Sequence, residues 1–467
     1  MYASFFGRLS IAPVFVAAIG LFILSQSAHA EIGAHILVDA KSGAVIDQKN
    51  ATRKWYPASL TKLMTAYVTF KAIRAEKISL NSAVVQSQNS ASEPPSKMGF
   101  KIGTKFTVDT ALKIILIKSA NDVAVALGEA VAGSEAGFIA MMNAEARRLG
   151  MTHTRFSNPH GLPDNSQVTT ARDMAILAMA LRRDFPESRE FYNHPGIRFG
   201  KKTLRSANRE FLLRVKGANG MKTGYICNSG YNVAASVTRR GRTLIGIIMG
   251  ASSGLERTAF ARQLFDAGFK KGRGGKKVTS LSGYSGNPPA NGYCRRNKKL
   301  SSKQYMARYD MKNTQGGGLL FFGKQKTRNP AKVDTSSFTK SNGKPDWAKI
   351  LDRTLGPRRI AYKPLPVGLG KPKGTPSVSA SIPAENIPLP VANPIRKAKM
   401  EMRTKLQTAQ TEPAAEVTGA SAGTIPQIEA AGQRPGSAVN TSKAAHGSIF
   451  RKGMDFTVPV PAPSPSK

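Results

Sequence analysis

Apolar and polar positions divide the chain into zones with different periods. Residues 34–46, AHILVDAKSGAVI, read as two apolar strand segments around a Lys41-Ser42-Gly43 turn, the pattern of a hairpin. From Pro57 the period lengthens. In ASLTKLMTAYVTFKAI, Leu60, Leu63, Met64 and Tyr67 share one helical face. Residues 79–106 mix strand and turn character, and a second helical stretch over 108–132 breaks at Lys118-Ser119-Ala120-Asn121. Ser134 and Thr170 are each placed to cap a further helix, the first ending before Gly150 and the second stopping at Pro186. From Met221 the period shortens again. MKTGYI, YNVAASVTR and RTLIGIIMGA are apolar, β-branched runs, with an Arg240-Gly241 turn between the last two and a final helix over 254–269. This order predicts an α+β unit: an antiparallel sheet built from both chain ends and flanked by helices, with a helical cluster inserted.

Composition changes the picture at both ends. Residues 1–270 carry 35 Lys/Arg against 18 Asp/Glu, whereas 271–467 carry 34 against 10, so net charges of +17 and +24 make up the total of +41. The back part is also rich in Pro, Gly and Ser. It buries too little apolar surface to offset its ordering entropy, so a largely disordered basic tail is expected. One ordered island is expected within it, over 346–362, around Trp347, Ile350 and Leu351. At the front, Arg8, the apolar run 11–24 and Ala28-His29-Ala30 have the form of a signal peptide cleaved after residue 30. The run is short for a bilayer span of about 20 residues. The expected organisation is therefore a signal peptide over 1–30, a folded domain over 31–270 and a tail over 271–467, exported to the periplasm or cell envelope, with membrane attachment left open.

Export and the scarcity of aromatics in the tail argue against nucleic acid as a partner, and the tail's charge suits anionic envelope surfaces. Cys227 and Cys294 are expected to be unpaired thiols, because nothing in a tail fixes the distance of the second from the first. The six histidines are scattered and no Cys/His group has ligand spacing, so no metal or cofactor is expected.

Three short motifs follow in order: Ser59-Leu60-Thr61-Lys62, Ser119-Ala120-Asn121 and Lys222-Thr223-Gly224. Ser-x-x-Lys arises by chance about once or twice in a chain of ordinary composition, and here it occurs at Ser59, Ser337, Ser341 and Ser464. Only Ser59 begins an amphipathic helix. There, Lys62 lies on the same face and can take the hydroxyl proton, and the helix start adds free N–H groups and partial positive charge. A lysine buried beside another cation is neutral enough to act as a base, and Lys222 can supply that second charge. Ser119 can relay a proton to a leaving amine and Asn121 can bind a substrate amide. Lys222 and Thr223 suit a terminal carboxylate, while Gly224 leaves room for a peptide beside the strand.

This trio is that of penicillin-binding proteins and class A β-lactamases. The longer stretches PASLTKLMT (57–65), KSANDVAVAL (118–127), NPHGLPDN (158–165), TTARDMA (169–175) and NGMKTGYICNSGYN (219–232) make residues 32–270 resemble the low-molecular-mass D-alanyl-D-alanine carboxypeptidases. The resemblance implies a β-lactamase/DD-peptidase-like fold. It also implies an acyl-enzyme on Ser59, Lys62 as general base, Ser119 and Asn121 as the second motif, and Lys222, Thr223 and Gly224 as the carboxylate motif. The N–H groups of Ser59 and Tyr225 would form the oxyanion hole. Peptidoglycan stem peptides would be substrates and β-lactam antibiotics covalent inhibitors. Ile226 departs from the family, which commonly has threonine there, and Cys227 is an unusual neighbour.

Other readings carry less. Without its partners, Ser59 would be read as a helix cap. His160 suits a turn better than catalysis, and Arg257 a solvated face better than a carboxylate site. A β-lactamase needs a deacylating glutamate, and no Glu-x-x-Leu-Asn stretch lies between the second and third motifs. A biosynthetic transpeptidase normally has a large region before its nucleophile, whereas Ser59 lies 28 residues beyond Glu31. A DD-endopeptidase differs only in its leaving amine. A non-catalytic envelope-binding protein acting through the tail would have no use for the full motif set.

Overall fold

The computed structural model of the chain describes residues 32–272, 274–283, 286–314, 336–360 and 363–373. The signal-like segment and the tail beyond 373 lie outside the described residues. Strands β1 (Ala34–Asp39), β2 (Val45–Lys49), β3 (Ala218–Ile226), β4 (Gly230–Arg239) and β5 (Arg242–Ala251) form one antiparallel sheet, ordered β2-β1-β5-β4-β3. Strands from the two ends of the 34–251 segment are neighbours in it, β1 pairing β5 from Ala34↔Met249 to Asp39↔Leu244. The expected turns form. Asp39 Oδ1 accepts from the backbone N–H groups of Lys41 and Ser42, each at 3.1 Å, and Arg240 and Gly241 both take positive φ between β4 and β5.

Strand β1, inside the sheet between β2 and β5, is buried along its whole length because both faces of the sheet are covered. Ile36 and Val38 join the core under the helical cluster, while Leu37 lies against Gly268 on the opposite side. Five longer helices supply the covering: α1 (Lys62–Arg74), α2 (Asn121–Ala132), α3 (Glu135–Arg148), α4 (Ala171–Asp184) and α5 (Gly254–Lys270). Ser134, Thr170 and Ser253 cap α3, α4 and α5 by accepting from Gly137, Asp173 and Glu256 N–H groups, each cap worth roughly 1 kcal/mol. Helix α1 is buried on more than the predicted face. Thr65 and Thr69 are fully enclosed, their hydroxyls donating to Pro159 O and Thr65 O. This depth fixes the first turn of α1 rigidly inside the domain.

The chain beyond 270 returns to the domain at more places than the single expected island. Helices α6 (Ser302–Tyr309) and α7 (Trp347–Leu355) pack on α5, burying Tyr305, Tyr309, Ile350 and Leu351. Tyr309 donates to Glu256 Oε1 at 3.2 Å, and Arg214 pairs with Asp352 on α7. Residues 365–367 add a parallel strand beside 196–199. Such contacts join residues far apart in sequence, so no local period announces them. The expectation of two unpaired thiols is corrected: Cys227 and Cys294 form a disulfide across 67 residues. The hydrogen bond from Cys294 N to Cys227 O, at 2.9 Å, lays the second cysteine alongside the turn that holds the first. Among the described residues no single helix is long and apolar enough to cross a membrane.

Candidate active site

Pro57 and a positive φ at Ala58 lead into a single 3-10 turn, Ala58–Thr61, directly before α1. Ser59 lies on this turn, half-buried. Neither the turn nor α1 has a side-chain cap, so the hydroxyl is not used in capping. Two backbones press against the turn. A Cβ on Gly161 would lie 1.9 Å from Ala58 O, and one on Gly224 would lie 3.0 Å from both Pro57 O and Ser59 N. Glycine at these positions lets the 158–161 loop and strand β3 close on Ser59.

Lys62, the first residue of α1, has no exposed surface, and its Nζ donates to Ser59 Oγ at 3.2 Å, Asn121 Oδ1 at 2.8 Å and His160 O at 2.6 Å. Burial, and then the charge of Lys222, hold its pKa well below the usual lysine range, against smaller opposing pulls from Glu93 and Asp122. Lys222, on the edge strand β3, donates to Ser119 Oγ and to Thr223 O, both at 2.8 Å. Its own pKa is lowered to about 7 by burial and then by Arg257. Ser119 takes φ of +70° at the end of the 114–118 turn, which interrupts the helix where expected.

Asn121 completes the bridge. While its oxygen accepts from Lys62, its amide donates to Pro94 O and its backbone N–H to Ser96 O. The neighbouring Asp122 carboxylate accepts from Met98 and Gly99 N–H groups, so the 94–99 loop is fastened to the start of α2. Ser59, Lys62 and Asn121 thus meet directly, as do Ser119 and Lys222. Buried Thr223 follows on β3, with Gly224 over the turn and Tyr225 on the rim, 45% exposed, its ring 4.3 Å from that of Tyr231.

The family model for D-alanyl-D-alanine carboxypeptidase matches residues 23–253. The chain is 40% identical over 245 residues to D-alanyl-D-alanine carboxypeptidase DacC of Escherichia coli, covering 51% of this chain and 61% of that relative. It is 34% identical over 264 residues to DacA of Haemophilus influenzae (54% and 67%), and 30% identical over 220 residues to DacB2 of Mycobacterium tuberculosis (46% and 73%). The chain belongs to the D-alanyl-D-alanine carboxypeptidase family. The match spans about three fifths of the length of DacC. Among solved structures, penicillin binding protein 5 of H. influenzae aligns with a TM-score of 0.49 and 32% identity, over 51% of this chain and 71% of that one.

In this D-alanyl-D-alanine carboxypeptidase family member, two features carry more than their residues announced. Arg257 does not lie on a solvated face. It is 4% exposed, donates to Ala207 O at 2.8 Å and has its pKa lowered to about 10 by burial, and it is the charge that acts on Lys222. An Arg one turn into a predicted helix gave no local sign of this. His160 contributes its backbone carbonyl to Lys62, as a turn residue can. Its ring Nδ1 accepts from Leu162 N, which puts the ring proton on Nε2, facing Glu93 Oε2 at 3.3 Å. Glu93, Glu135 and His160 bring ligand atoms within 4.8 Å of one another, but a ring in that tautomer has no free lone pair for a cation. The trio fits a hydrogen-bonded pair better than a metal site.

Proposed function

We propose that this protein is a serine D-Ala-D-Ala carboxypeptidase that removes the terminal D-alanine from peptidoglycan stem pentapeptides and is acylated by β-lactams. The observation that carries this reading is the buried Lys62 amine, deprived of its usual basicity and 3.2 Å from Ser59 Oγ. A second group of buried cations, Lys222 and Arg257, stands ready for an anion. Membership of the family supports the same reading.

In this mechanism neutral Lys62 takes the Ser59 proton as Oγ attacks the carbonyl carbon between the two D-alanines. The peptide lies along the free edge of β3. Its terminal carboxylate faces Lys222 and Thr223, with Arg257 behind, and Asn121 binds a substrate amide. The N–H groups of Ser59 and Tyr225 stabilise the oxyanion. As the C–N bond breaks, the departing amine receives the proton from Lys62 by way of Ser119. Water then attacks the ester carbonyl, giving a proton to Lys62, which passes it to Ser59 Oγ as the C–O bond breaks. The shortened peptide leaves, and neutral Lys62 and the free hydroxyl are restored. A β-lactam opens on the same oxygen, its carboxylate in place of the peptide's. The signal-like front supports an exported, periplasmic or cell-envelope location, and the basic tail supports contact with anionic envelope surfaces.

Incubating the protein with a pentapeptide ending in D-Ala-D-Ala should release one D-alanine per peptide, and Ser59→Ala should abolish that release. Mass spectrometry of a crosslinked muropeptide mixture separates this reading from an endopeptidase: loss of single terminal D-alanine residues is expected, whereas loss of crosslinks alone would overturn it.

A further inference from the structure

Residues 286–297 lie beyond the family match, which ends at 253, yet they grip both walls of the site. On one wall, Lys54 N donates to Gly286 O and Arg53 Nε to Asn287 O, both at 3.1 Å, a few residues before Ser59. On the other, Cys294 is bonded to Cys227, two residues after Tyr225, and Asn228 exchanges hydrogen bonds with Asn291 and Gly292. Tyr293 sits between them. Its ring meets Trp55 edge-on with centroids 5.4 Å apart, and its hydroxyl donates to Gly250 O at 2.8 Å. Trp55 in turn donates to Ser229 O at 2.9 Å. A Cβ on Gly250 would lie 2.6 Å from Trp55 and 2.8 Å from the Tyr293 hydroxyl, so glycine makes the space for both rings.

Strand β3 is an edge strand: β4 pairs one side, and at Gly224 the face of the strand lies against the Ser59 turn. The ladder pairs this strand on one side only, so sheet hydrogen bonds alone do not set its spacing from the turn. An oxyanion site split between Ser59 and Tyr225 is sensitive to that spacing. We propose that the 286–297 segment is a strap that sets the spacing of β3 from the Ser59 turn, with Cys227, Cys294 and Tyr293 as positioning residues for acylation. This rests on the acyl-enzyme reading above. The strap has a chemical release. A thiolate of an added dithiol attacks one sulfur and displaces the other as a thiolate. The reagent's second thiol then closes to a cyclic disulfide, leaving Cys227 and Cys294 reduced.

The test compares untreated protein, protein reduced under native conditions, Cys227→Ser/Cys294→Ser, and Tyr293→Phe, which keeps the ring and the disulfide. Fluorescent penicillin reports the acylation rate constant and, separately, the number of labels per folded chain. A misplacement of about 1 Å costs on the order of 10²-fold, so release of the strap should slow acylation at least about tenfold with label stoichiometry unchanged. Tyr293→Phe should slow it less, and in the same direction. Hydrogen exchange at Tyr225 and Ile226 should quicken on reduction. An acylation rate within twofold of untreated protein after reduction, with only thermal stability lowered, would overturn the proposal. Should the untreated protein take no label, the acyl-enzyme reading fails by itself. The strap is then judged by exchange, and unchanged exchange at Tyr225 and Ile226 on reduction removes it.

Discussion

Lys62 Nζ lies 3.2 Å from Ser59 Oγ with no part of the lysine exposed to solvent. In the proposed mechanism Lys62 is the base and Ser59 the nucleophile, already in hydrogen-bond contact. The transfer needs only the loss of one Nζ proton and a turn of the Ser59 hydroxyl toward the amine. Removing a positioned general base costs about 10² to 10⁴-fold. Lys62→Met should lower the acylation rate by that amount while near-UV circular dichroism stays unchanged. Lys62→Arg should fare no better, because a guanidinium keeps its proton.

The pH profile should have two limbs with different owners. In the proposed mechanism Lys62 acts only when neutral, and its lowered pKa brings the neutral form toward physiological pH. The proposed role of Lys222, binding a carboxylate, needs its charged form, and its pKa is lowered to about 7. As pH rises through 7, kcat/KM should therefore fall on the alkaline side. A bound carboxylate favours the ammonium, so the alkaline limb of kcat should lie at higher pH. Steady-state kinetics across pH 5 to 10 would check the separation of the two limbs.

Stability should follow the same lysine. Above about pH 7 the folded protein has released the Lys222 proton, while the unfolded chain keeps it until about pH 10.4. The unfolded state then binds more protons, so this group's contribution rises with pH across that window. Denaturant unfolding at pH 7 and pH 9 should show a rise that is smaller in Lys222→Met.

Gly161 tests the closeness of the 158–161 loop to the nucleophile turn. Alanine there must accommodate a Cβ 1.9 Å from Ala58 O at a φ of +92°. A cost of about 1–3 kcal/mol is expected from overpacking, with more from the backbone. Chemical denaturation should register it, and acylation should slow because the displaced carbonyl belongs to the residue before Ser59.

Much of this was legible beforehand where the signal is local. The 34–46 hairpin, the Ser134 and Thr170 caps and the break at Ser119 each depend on a few adjacent residues, and each formed as expected. The meeting of Ser59 with Lys62 follows from helical spacing. The rest depends on residues distant in sequence. Cys227 and Cys294 pair because 286–297 crosses the β3–β4 turn, and Arg257 reaches Lys222 because α5 packs on the sheet. The tail's mean composition hid Tyr305 and Tyr309, whose burial requires the surface of α5, whereas Ile350 is buried within the island expected for it.

The boundary expected at residue 270 can be tested by truncation. Cutting after 373 keeps α6, α7 and the disulfide partner Cys294, and the melting temperature should fall less than on cutting after 270. Cutting after 270 removes them all. Loss of a disulfide closing a loop of this length costs about 2–5 kcal/mol, so thermal unfolding should shift down clearly.

The central claim is that Ser59 is the acylated oxygen. Benzylpenicillin should add one adduct to the intact protein, peptide mapping should place it on Ser59, and Ser59→Ala should carry none while remaining folded. An adduct that persists in Ser59→Ala, or that maps to another residue in the unaltered protein, would contradict the account.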